Sequence, residues 1–113
     1  MEIKVGQWVR TVGNTLENVI DIDLSIKHII AKDKLSYISF EHITKVANDP
    51  RELIEAGDLV FFSIISEEGN TMDNFDIPCN KNSLKYIKRT NITKILTKNS
   101  NGGFDLQYSK EAE

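Results

Sequence analysis

The sequence predicts a mainly β fold, built as two tandem small β-barrel or half-barrel modules joined by a short helical turn. Three observations predict it. β-Branched and aromatic residues gather in short runs rather than in the 3.6-residue rhythm of amphipathic helices. Turn-forming residues separate those runs. A block of the first half also recurs in the second: Leu35, Tyr37, Ile38, Ile43, Thr44, Lys45 and Val46 return 49 positions later as Leu84, Tyr86, Ile87, Ile92, Thr93, Lys94 and Ile95. Upstream, Ile3, Val5, Gly6 and Val9 align at a spacing of 51 with Ile54, Ala56, Gly57 and Val60. The two-residue change between blocks is what a loop deletion leaves.

In the first module, residues 1–50, strands are expected at 7–11, 17–23, 26–32, 35–40 and 43–47. In the second, residues 51–113, they are expected at 59–65, 71–77, 84–88, 92–97 and 104–108. Gly13-Asn14, Asp33-Lys34, Glu68-Gly69-Asn70 and Asn101-Gly102-Gly103 fall between them and suit tight turns, because Gly and Asn tolerate positive φ. Alternation is clearest at 20–24, where Asp21 and Asp23 face one side of a strand and Ile20, Ile22 and Leu24 the other. Residues 84–88 also suit a short helix from Ser83, and are read as strand because their repeat partner, 35–40, is rich in strand formers. The modules part at Asn48-Asp49-Pro50-Arg51-Glu52. There Asp49 caps one helical turn, with Pro50 at its first position and Glu52 at capping-box spacing.

Composition bounds the function. The chain has 113 residues, room for one ordinary domain or two very small ones. A module of about 60 residues buries only about 60% of its unfolded surface, so the halves support each other or the protein forms a homo-oligomer. A net charge of −3 gives no global field for polyanions. Cys79 is the sole cysteine, which excludes an internal disulfide or thiolate cluster, fits a reducing compartment and suggests a small buried residue. No charged leader precedes an apolar run, and no stretch approaches the roughly 18 apolar residues of a membrane span. The expectation is a cytoplasmic chain, complete from Met1.

Val5-Gly6-Gln7-Trp8-Val9-Arg10, echoed by Ala56-Gly57-Asp58-Leu59-Val60, resembles the opening of SH3-like and KOW-like small β-barrels, and Gly13 falls where such barrels place their first hairpin. The resemblance implies SH3-like modules; many such barrels bind RNA or peptides through loops near this opening. A wider resemblance rests on K-V-G-Q-W-V-R-T near the start, N-D-P-R-E-L-I-E-A-G-D-L-V in the middle and I-T-K-I-L-T-K towards the end. Together these are similar to a group of small uncharacterised proteins carried by phages and prophages of Gram-positive, AT-rich bacteria. That resemblance implies a phage-encoded protein made in the bacterial host cytoplasm, and it brings no catalytic residue with it.

Charge is segregated in the second module. From Glu52 to Asp76 there are seven acids and no base; from Lys81 to Lys98 there are six bases and no acid. Lys85, Tyr86, Lys88, Arg89 and Lys94 are therefore the candidate partner-binding residues. The competing reading makes the lysines solvent-facing guards of strand edges. No catalytic or metal site is expected, nor a cofactor. His28 and His42 have no carboxylate or cysteine at ligand spacing, Asp21 and Asp23 are better read as a wet strand face than a cation site, and no phosphate-binding glycine motif occurs. Trp8 is expected in the core. Phe61 and Phe62 must face opposite sides of one strand, which points to an interface. The function expected is a non-enzymatic phage or prophage accessory protein that binds a host protein, with host-defence inhibition (anti-CRISPR or similar) as its concrete form. Its alternatives are a small nucleic-acid-binding barrel using the basic segment, and a sponge for a small ligand held between the modules.

Overall fold

The computed structural model describes residues 2–31 and 36–110. Its nine strands and one helix, among those residues, form two units, Met1–Leu53 and Ile54–Glu113. The first unit is a meander of β1 (Trp8–Thr11), β2 (Leu16–Asp23), β3 (His28–Ala31), β4 (Tyr37–Ser39) and β5 (Ile43–Ala47) in the order β4-β3-β2-β1-β5, all antiparallel. A 3₁₀ turn, Phe40–His42, delivers the chain into β5. Leu35 and the Asp33-Lys34 turn lie outside the described residues.

Period-two alternation places Val9, Val19, Ile29 and Ile43 on the core face, with Ile3, Ile22, Ile38, Phe40 and Val46 around them. The opposite face of β1 carries Arg10, which is 3% exposed. Its Nη1 donates to the Leu53 carbonyl at 3.0 Å and its Nη2 to Asn14 Oδ1 at 3.2 Å, so the buried cation is hydrogen-bonded. Leu53 ends the second 3₁₀ turn, Pro50–Leu53, which packs on β1 and β5 with Pro50 and Leu53 buried. The first unit ends with this turn, at Leu53. Asp49 caps the turn as expected: its Oδ1 accepts from Arg51 N at 2.9 Å.

The second unit contains β6 (Leu59–Ile65), β7 (Thr71–Asp76), α1 (Lys81–Lys88), β8 (Asn91–Lys98) and β9 (Phe104–Ser109), with the sheet ordered β7-β6-β8-β9. Val60, Phe62, Ile87, Ile92 and Ile95 are buried. In neither unit do the outermost described strands bond to each other, so both sheets are open.

The two units share a detailed inner pattern. β1 pairs β5 through Trp8–Ala47, Val9–Val46, Arg10–Lys45 and Thr11–Ile43, with a bulge after Arg10. β6 pairs β8 through Leu59–Leu96, Val60–Ile95, Phe61–Lys94 and Phe62–Ile92, with a bulge after Phe61. Every partner is displaced by the same offsets that align the sequences. Thr44 Oγ1 donates to the Arg10 carbonyl at 3.1 Å and Thr93 Oγ1 to the Phe61 carbonyl at 3.2 Å, so even the bulge is pinned alike. Gly6 and Gly57 both turn at positive φ ahead of the first strand.

The pattern breaks at the block headed by Leu35 and Leu84. Residues 84–88, expected as a strand, are helical, so Tyr37 on β4 and Tyr86 on α1 occupy different structures. The cause is local. Asn80 Oδ1 accepts from Ser83 N at 2.9 Å while Ser83 Oγ accepts from Asn80 N at 3.1 Å, a reciprocal box that starts a helix. Ile87, one turn on, is then buried. Cys79, expected in the interior, is exposed just before this cap.

Candidate partner-binding surface

α1 arranges what the sequence only lists. At 100° per residue, Lys81, Lys85, Lys88 and the C-cap residue Arg89 fall on one side of the helix, roughly opposite the buried Ile87. All four are exposed, and none pairs with an acid among the described residues. Tyr86, 57% exposed, flanks the stripe. The first turn contains no acid to complement the helix N-terminus. Like-charged neighbours at i,i+4, here Lys81–Lys85 and Lys85–Arg89, each cost an isolated helix about 0.2–0.5 kcal/mol. An anionic surface laid along the stripe would remove that cost.

Of the five predicted residues, four therefore gather on or beside one helix. Lys94 does not. It stands on β8 between Phe61 and Ser109, half-buried. Lys81 belongs with the stripe and was not among the predicted residues; its i,i+4,i+7 spacing to Lys85 and Lys88 is the signal, visible only once the segment is helical.

Other chemistry-bearing groups are engaged structurally. Asp23 Oδ1 accepts from Ser25 N and Ser25 Oγ, and these bonds, the hydroxyl first, hold its pKa below the ordinary carboxylate value. Asp21 Oδ1 accepts from Ile22 N. His28 Nδ1 lies 2.6 Å from the Ile26 carbonyl. Among the described residues no three His, Cys, Asp or Glu side chains cluster as metal ligands. An open groove of about 480 Å³ in the first unit is bordered by Thr11, Thr15, Tyr37 and His42, and the two threonine hydroxyls bond each other at 2.7 Å.

No helix among the described residues is long and apolar enough to cross a membrane. No family model, curated protein or solved structure matches the chain.

Proposed function

We propose that this chain is a non-enzymatic binding protein, of phage or prophage origin, that occludes an acidic surface of a host protein in the bacterial cytoplasm. Inhibition of a host defence, anti-CRISPR or similar, is the concrete form of that role. The observation that carries the proposal is the α1 stripe of Lys81, Lys85, Lys88 and Arg89, exposed and without acidic partners among the described residues. A protein partner is favoured over nucleic acid on two grounds. The helix is only about 12 Å long and can neutralise few phosphates, and the same unit carries six acids between Glu55 and Asp76 that oppose a polyanion. On this reading the two units are diverged copies of one SH3-like half-barrel, in which α1 has replaced the middle strands of the second copy. The matched registers, bulges and threonine bonds support that descent.

Tagged wild-type chain and a Lys85→Glu/Lys88→Glu variant, each used to capture partners from host lysate with and without nuclease, test the proposal. Wild type retains a discrete acidic protein whether or not nuclease is added, and the variant loses it. Capture abolished by nuclease, with affinity falling steeply with salt, transfers the stripe to nucleic acid. Equal capture by the variant removes α1 as the contact.

A further inference from the structure

The second unit's sheet has another apolar face, opposite the buried side of Val60 and Phe62. Directly paired residues on neighbouring strands share a face. The registers therefore place Phe75, Phe61 and Lys94 in one row across β7, β6 and β8, and Leu59, Leu96 and Leu106 in the next across β6, β8 and β9. Phe61 and Phe75 contact through their rings, with centroids 5.6 Å apart. Phe75 and Leu106 remain 63% and 56% exposed.

The first unit handles the matching face differently. Arg10 occupies the place of Phe61, and the Pro50–Leu53 turn packs over it. In the second unit the chain leaving β8 instead pairs back in the plane of the sheet as β9. The face thus keeps its apolar residues, and among the described residues no 3₁₀ turn follows β8 to cover it as Pro50–Leu53 covers its counterpart.

Charge at the rim identifies the occupant. A third row, on the other side of Phe61, runs from Asp73 on β7 through Ser63 to Asn91, and Lys110 joins its far end by donating from Nζ to Asn91 Oδ1 at 3.3 Å. An acid therefore stands at the β7 edge and a base at the β9 edge. Place two such sheets face to face, about 10 Å apart, with a two-fold axis along the strands. β7 of one copy then lies over β9 of the other, Asp73 meets Lys110 of the second copy in both directions, and the Leu59–Leu96–Leu106 row meets its own reverse. We propose that this face joins two copies of the chain in an isologous dimer.

Sedimentation of the full chain over about a hundredfold range of concentration tests this. The wild type passes from monomer to dimer. Leu106→Glu places a charge at an exposed position, leaves the circular-dichroism melt unchanged at concentrations where the wild type is monomeric, and weakens self-association at least about tenfold. Asp73→Lys and Lys110→Asp each weaken it, and both changes in one chain restore it. A chain monomeric at every concentration, a dimer indifferent to Leu106→Glu, or a double exchange that fails to restore association would each overturn the proposal.

Discussion

At Gly6 and Gly57 the backbone adopts φ of +93° and +96°, and a Cβ built at either would meet nothing within 4 Å. Any penalty for a side chain is therefore conformational, not steric. Gly57→Ala is expected to lower stability by about 1–3 kcal/mol, with Gly6→Ala costing a similar amount, as read from urea midpoints. A loss well beyond that range would mean a collision that the geometry does not contain. Asp49 supplies a pH dependence. The Arg51 side chain, donating from Nε at 3.0 and 2.9 Å, lowers the Asp49 pKa first, and Arg51 N adds to it against the opposing effect of burial. A depressed folded pKa means a contribution present above the unfolded value of about 3.9 and lost as pH falls through the folded one. Both side chains are partly exposed, so Asp49→Asn should cost under about 1 kcal/mol at pH 7 and less at pH 2. Comparing the two proteins' melts at these pH values checks the sign. Residue-level placement was largely legible: the glycine turns and the opposed Phe61 and Phe62 follow from backbone freedom and period-two alternation. Cys79 was not, because its exposure depends on the helix that begins beside it.

Most strands were readable within a residue or two, since alternation and turn residues are local signals. The exception, α1, shows a local signal in competition with a distant one. The helical pattern from Ser83 was outweighed by the repeat with residues 35–40, and the capping box of Asn80 and Ser83, with serine in the place usually held by glutamate or glutamine, emerged only in the structure. Because that box starts the helix, Asn80→Ala should cost about 1 kcal/mol and raise amide exchange chiefly across residues 81–84. Asn80→Asp keeps the cap acceptor and adds a negative charge where the dipole favours one, so it should slow the same exchange. If both substitutions left these amides unchanged, packing of Ile87 rather than the cap would be what holds the helix. The site shared this fate: the basic residues were recognisable by composition, but their common face, and the membership of Lys81, emerged only with helical geometry.

At the scale of the whole chain the repeat makes the most demanding prediction. Thr44 and Thr93, the extra residues of the two bulges, each donate a side-chain hydrogen bond to a carbonyl facing the bulge on the neighbouring strand, and each bond lies within its own unit. Valine preserves the β-branched shape and removes only the donor, so Thr44→Val and Thr93→Val should each cost about 0.5–1.5 kcal/mol. Having no partner in common, the two losses should add within about 0.5 kcal/mol in the double variant. The comparison is sharper than backbone superposition, because Arg10 and Phe61 differ chemically while their carbonyls perform the same task. Equal single costs would show that the matched registers rest on the same interaction in both units. A large loss at one threonine and none at the other would mean that the bulges agree in shape but are held by different forces, and the case for common descent would then rest on the sequence offsets alone.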